Sequence, residues 1–372
     1  MSQERISPLD AAAAAEEPSR SAQPLSAWEV IDTDVHEAPR SLRELAPYLE
    51  PYWRRWLTDY NFAGPGQTPY VRFIGGGLRE DAKPADGSPG GSDYELMREQ
   101  LLDPYRVKYA ILGSAFYPSM MKVQVEFAAA LASAYNDWLI DNWLSRDARF
   151  LGSVCVAAQE PLAAAREIER VGEHPQMVQV LLPLGQLAYG DPIYHPIYEA
   201  AQRKGLVLAF HQSFDVKSPF GQQRYFIEWH TDISLSFMAL VGNLIFNGVL
   251  DKYPGLQVVL LEGGFAWMPS LMWRMDQNYR SLQREVPWVK RMPSRIVREH
   301  FHCATQPMPD FDHPQQFLDT LAWVGSDDFL LFSSDYPHWD FDSPARAMPT
   351  GVPEGLRRRI FSESARRVYG LA

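Results

Sequence analysis

Asp32, Asp34 and His36 are spaced two apart in the run Val30-Ile31-Asp32-Thr33-Asp34-Val35-His36, which is apolar and β-branched at its start. In a strand, successive side chains alternate between faces, so these three project to one side and Thr33 and Val35 to the other. Two carboxylates and an imidazole on one buried face are costly unless a positive charge compensates them. A divalent metal supplies such a charge, and Asp34 with His36 offers it an oxygen and a nitrogen from one strand. A hydrogen-bonded aspartate network with a capping histidine satisfies the same residues without metal. The choice between the two depends on what the other elements bring to the same place.

Seven further strand-like runs follow. They are predicted at Val107 to Leu112, Leu151 to Ala157, Met177 to Leu182, Leu206 to His211, Leu256 to Glu262, Phe301 to Ala304 and Leu330 to Asp335. Helical patterns are predicted between and after them at Val123 to Leu144, Pro161 to Val171, Pro192 to Lys204, Ile233 to Leu250, Trp267 to Arg284, His313 to Val324 and Pro353 to Tyr369. Apolar strands alternating with helices mean an α/β fold with a parallel sheet, and eight units suggest closure into a (β/α)8 TIM barrel. Residues 39–106 form an insertion between the first and second strands. It opens with a Tyr- and Trp-rich, partly helical stretch from Pro39 to Trp56 and continues through the irregular Gly64 to Ser92. The glycine-rich part from Gly75 to Gly91 reads as a lid over the barrel mouth or as a surface excursion. Residues 1–26, rich in Ala, Ser, Glu and Pro without periodicity, read as a disordered tail, and 27–372 as a single barrel domain.

The composition narrows the function. The 372 residues are 46% hydrophobic and 22% charged, as expected of a soluble globular chain, and the formal charge of −11 argues against nucleic acid as partner. No apolar run approaches the length of a membrane span, which excludes a membrane partner of that kind. Ala11 to Ala15 is too short for the core of a signal peptide, and Glu16 and Glu17 follow at once. Cys155 and Cys303, both in strand-like runs, read as buried reduced thiols of a cytoplasmic protein.

In a barrel of this kind functional residues sit at the C-terminal ends of the strands. The first predicted strand ends with Asp34 and His36, the fifth with His211, the sixth with Glu262-Gly263-Gly264, and the eighth with Asp335, followed by Tyr336-Pro337-His338-Trp339-Asp340. Each has an ordinary structural explanation: a satisfied core histidine, an aspartate in a turn, a glycine pair turning the chain. Four strands ending in metal-competent or acid/base side chains at one rim is nevertheless what a mononuclear metal site requires.

Asp32-Thr33-Asp34-Val35-His36, Phe210-His211, the stretch from Tyr253-Pro254 to Glu262-Gly263-Gly264, and Ser334-Asp335-Tyr336-Pro337-His338 together resemble the amidohydrolase superfamily. Within it they look like the amidohydrolase-related group that includes aminocarboxymuconate semialdehyde decarboxylase and the resorcylate decarboxylases. The resemblance runs from about Trp28 to the C-terminus. It implies a distorted (β/α)8 barrel holding one divalent ion, usually zinc, sometimes manganese or magnesium, with Asp34, His36, His211 and Asp335 as ligands. It also implies a homodimer or higher homo-oligomer. This chain departs from the family pattern twice. The first strand carries Asp34 where the family often has histidine, and some of its decarboxylases have glutamate. The sixth strand ends in Glu262 where the family often has histidine.

Three functions follow. In a metal-dependent hydrolase of a small amide, ester or lactone, the ion lowers the pKa of a bound water. Asp335 orients that water and takes its proton, Glu262 serves as acid/base, and His338 binds or protonates the substrate. The alternative is a non-oxidative, metal-dependent decarboxylase of an aromatic or unsaturated acid. Charge counting weighs against it, because Asp34 and Asp335 already neutralise a divalent ion; Lys217, Arg224 or Arg274 are candidate offsets. A barrel that kept its fold and lost its metal is the third. Phe116, Tyr117, Phe214, Phe265, Trp267, Tyr336 and Trp339 follow strand ends, where they line an apolar pocket or pack as ordinary loop residues.

Overall fold

The structure is a computed structural model and describes residues 29–59, 77–114, 123–185, 187–213 and 216–372. The expected tail at 1–26, Gly64 to Gly76, Phe116, Tyr117 and Phe214 fall outside the described residues.

Eight strands pair in sequence order: β1 (Val30–Val35), β2 (Val107–Leu112), β3 (Phe150–Cys155), β4 (Met177–Pro183), β5 (Val207–His211), β6 (Val258–Leu261), β7 (Phe301–Ala304) and β8 (Leu330–Leu331). Every adjacent pair is parallel. The ring closes between the last and first strands. Thr33 N–H donates to the Phe332 carbonyl at 3.0 Å, Asp335 N–H to that of Asp34 at 3.1 Å, and His36 N–H to that of Tyr336 at 2.7 Å. This is the expected (β/α)8 barrel. β1 and β3 to β7 are buried along their whole length, because helices cover one face and the barrel interior fills the other. That is why these strands read as continuous apolar runs.

Two helices and one strand depart from expectation. The helix expected from Ile233 begins seven residues earlier, at Phe226, and runs to Phe246. Glu228 fixes that start by accepting from the Arg224 and Tyr225 N–H groups, both at 2.9 Å. A helix at Pro293–His300, unmarked in the sequence reading, precedes β7. β8 is only two residues long, because beyond Leu331 the chain leaves its ladder with β7 and bonds to β1.

Within the insertion, the described part lies against the loop after β8. Arg79 N–H donates to the Pro337 carbonyl at 3.0 Å, Trp339 N–H to that of Gly77 at 3.0 Å, and Ala38 N–H to that of Gly91 at 3.1 Å. Cys155 and Cys303 are buried free thiols. Among the described residues no helix is long and apolar enough to cross a membrane.

Gly263 controls how closely the Phe226–Phe246 helix approaches the end of β6. A Cβ there would meet Phe237 Cδ2 at 2.4 Å, so the room that the glycine leaves is filled by an aromatic ring of this helix and not by substrate. Gly264, at φ +61°, takes the turn itself. Gly263→Ala should cost about 1–3 kcal/mol of unfolding free energy by overpacking, read by denaturant titration, and Phe237→Leu in the same chain should restore part of it. Unchanged stability in the single variant would contradict this packing.

Candidate metal centre

The alternation along β1 carries Asp32, Asp34 and His36 into the barrel, and all three are buried. Asp32 lies outside the candidate ligand cluster. Its Oδ1 accepts from the Ser334 N–H at 2.9 Å and so ties β1 to the end of β8. The next two residues of that alternation meet His211 from β5 and Asp335 from beyond β8. Asp34, His36, His211 and Asp335 each place one donor atom within 4.8 Å of the others, and all four are buried.

Three features fit this set to a divalent cation. First, the His36 Nδ1 lies 2.6 Å from the Gly113 carbonyl and the His211 Nδ1 2.9 Å from that of Gln212. Each Nδ1–H therefore donates to a carbonyl, which leaves Nε2 with a lone pair. Second, those lone pairs face carboxylate oxygens. The His36 Nε2 is 2.9 Å from Asp335 Oδ1 and 3.5 Å from Asp34 Oδ1, and the His211 Nε2 is 3.7 Å from Asp34 Oδ2. Acceptor facing acceptor at these distances needs a proton or a cation between them. Third, the His36 and His211 Nε2 atoms, both Asp34 oxygens and Asp335 Oδ2 are buried with no hydrogen-bond partner.

Glu262 stands beside this set, with Oε2 buried, unpartnered and 3.4 Å from the His211 Nε2. His338 donates from Nδ1 to Asp335 Oδ1 at 2.6 Å and is the more exposed partner. Glu262 and Asp335 both hold left-handed backbone, at φ +58°. Non-glycine residues rarely adopt that conformation; it costs of order 1–3 kcal/mol and concentrates at functional sites.

Without an ion, burial decides the charges. It pushes the Asp34 and Glu262 carboxyls above the usual carboxylate range, and the neighbouring Asp335 charge adds to both. It pushes His211 down to about 3, with His36 adding to the shift. For Asp335 and His338, burial opposes charge, but their contact outweighs it. Asp335 is held below the carboxylate range and His338 is raised above 6.5, so each favours the charged form of the other.

The match to the family of amidohydrolases covers residues 31–371. The chain belongs to the amidohydrolase family. It is an enzyme of that metal-dependent superfamily, with one divalent-metal site supported by the buried cluster. It is 27% identical over 302 residues to a gamma-resorcylate decarboxylase of Rhodococcus jostii, covering 75% of this chain and 88% of that protein. An amidohydrolase of Mycobacterium avium subsp. paratuberculosis shares the fold with a TM-score of 0.70 at 19% identity, covering 93% of this chain and 100% of the other. A dihydroxybenzoic acid decarboxylase of Polaromonas sp., solved with manganese and 2-nitroresorcinol, gives 0.64 at 19% identity, covering 92% and 97%.

Other expected residues fall elsewhere. Phe265 is fully buried, with ring centroids 6.3 and 6.0 Å from Phe311 and Phe317, so it is core of this amidohydrolase and not pocket wall. Tyr336 is buried too and donates its hydroxyl to Gln100 Oε1 at 2.9 Å. The Trp267 indole donates to the Gly263 carbonyl at 2.9 Å. Trp339 is half exposed, 5.8 Å from the His230 ring. Lys217, Arg224 and Arg274 are all exposed, and none pairs with a carboxylate of the site. His230, which the sequence does not mark, and Asp340, which follows Asp335 in the run after the eighth strand, form a further donor group with Glu262. The signal for Asp340 was its position five residues beyond Asp335. His230 gave none, because it was read as preceding its helix.

Proposed function

We propose that this amidohydrolase is a metal-dependent, non-oxidative decarboxylase of a small aromatic acid bearing a hydroxyl beside its carboxylate. The observation that carries the reading is the buried Asp34, His36, His211 and Asp335 donor set, in a chain whose curated relatives are gamma-resorcylate decarboxylases. The names of those relatives favour decarboxylation over hydrolysis, the function that the residues alone suggest first. The four residues would hold a divalent ion, manganese or zinc. When bound, the ion supplies a positive centre for a carboxylate and its neighbouring hydroxyl.

The chain's own groups account for the proton. Asp335 favours the protonated form of His338, which is the more exposed partner and is aligned by the 2.6 Å contact. As the ring–carboxylate bond breaks, carbon dioxide leaves and the bonding pair stays on the ring carbon. His338 delivers the proton that takes its place. The described part of the insertion, bonded to Pro337 and Trp339, walls this loop. The reading is tested by carbon dioxide release from hydroxybenzoic acids, measured beside a panel of esters, amides and lactones.

A further inference from the structure

We infer that Arg79 is a positioning residue for His338, and that residues 77–91 form a fixed clasp over the loop that carries this proton donor. The inference rests on the decarboxylase reading, in which His338 delivers the proton, and it names what holds the imidazole in place.

Bonds from β1 follow the loop after β8 as far as Tyr336, whose carbonyl accepts from the His36 N–H. His338 lies two residues further on, and there the insertion takes over. The segment from Gly77 to Arg79 runs antiparallel to that from Pro337 to Trp339, with Leu78 directly opposite His338. The bonds from Arg79 N–H to the Pro337 carbonyl and from Trp339 N–H to the Gly77 carbonyl, both 3.0 Å, flank that pair.

The Arg79 side chain locks this pairing from the side. Its Nε and Nη2 donate to the two carboxylate oxygens of Asp81 at 2.9 and 2.6 Å, a fork that fixes the guanidinium plane. The guanidinium carbon lies 4.5 Å from the centre of the Phe341 ring, whose face attracts a cation. Asp81 is held in turn. Its carbonyl accepts from Gln100 Nε2 at 2.6 Å, and Gln100 Oε1 accepts the Tyr336 hydroxyl at 2.9 Å. Tyr336, Gln100, Asp81, Arg79 and Phe341 are thus linked one to the next. The link spans the loop from two residues before His338 to three residues after it.

The far end of the clasp bears on β1. Gly91 accepts from the Ala38 N–H, and a Cβ at Gly91 would collide with the His36 carbonyl oxygen. One segment therefore contacts the backbone of a candidate metal ligand and the loop of the proton donor. That couples the position of the imidazole to that of the donor set. Arg79 acts through Phe341 and the paired backbone.

The test is hydrogen exchange on the full-length, manganese-loaded protein, beside steady-state kinetics on 2,6-dihydroxybenzoate. In Arg79→Ala, exchange over residues 336–341 should speed up while the barrel strands keep their wild-type rates. kcat should fall about 10–100-fold with KM and manganese content unchanged, because a misplaced donor loses rate and not binding. Arg79→Lys keeps a cation for Phe341 and Asp81 and should recover part of the loss. Phe341→Leu removes the ring beneath the guanidinium and should repeat the effect in milder form; it stands in should Arg79→Ala fail to fold. Lys83→Ala, exposed on the same segment, should change neither reading. Wild-type exchange at 336–341 in both Arg79→Ala and Phe341→Leu would overturn the clasp. Faster exchange with kcat intact, or a loss of activity that only tracks lost manganese, would overturn the positioning role. Wild-type protein that releases no carbon dioxide would instead overturn the decarboxylase reading, and exchange at 336–341 would then decide the clasp alone.

Discussion

His211→Ala should lose the ion of the four-residue site and, with it, turnover. His211 is one of two nitrogen donors in the set and the one contributed by β5, so its removal leaves a carboxylate-rich pocket on β1 and β8. Disturbing only an outer-shell partner typically weakens metal binding about 10–100-fold, so deletion of a direct ligand should exceed that range. The fold should survive, since the barrel ladder at His211 is made by backbone groups paired with Leu261 and Pro183. Metal analysis at controlled free manganese, run beside circular dichroism, separates the two effects. A folded His211→Ala protein with the wild-type metal complement would remove His211 from the site.

His338→Gln should keep its metal and lose kcat by about 10²–10⁴-fold, the usual contribution of a positioned acid. The sign of the pH effect distinguishes this role. His338 is raised above 6.5 by Asp335, against the pull of burial, so the working protonated form persists below its pKa and is lost as pH climbs through it. Wild-type kcat should therefore fall on the alkaline side, and the variant should lack that limb. The assay is run at saturating manganese, because the same imidazole also steadies Asp335. A large rise in KM with kcat and its alkaline limb intact would mean that His338 only binds substrate.

Much of this was legible in the sequence because of two periodicities. Period 2 along β1 put Asp34 and His36 on one face, and the alternation of apolar strands with helices located all eight strands. Strand-end chemistry then gave His211, Glu262 and Asp335, which the fold collects at one mouth. What was hidden depended on packing. His230 reaches the site only because Gly263 admits Phe237, and no local pattern reports a contact between a helix face and a glycine 26 residues further on. Phe265 looks like a pocket aromatic by position, yet its ring is enclosed by phenylalanines from later elements. The brevity of β8 was equally invisible, since Phe332 to Asp335 reads as strand while its backbone groups bond to β1, to Thr305 and to Ile360.

The most direct measurement of the proposed chemistry is carbon dioxide evolution from 2,6-dihydroxybenzoate by metal-stripped protein before and after manganese is restored, in deuterium oxide. No release is expected without metal. With it, one carbon dioxide should appear per acid consumed, with deuterium at the vacated ring carbon. Failure to release carbon dioxide from this or any related hydroxybenzoic acid, while the same metal-loaded protein cleaves an ester, amide or lactone, would contradict decarboxylation and return the site to hydrolysis.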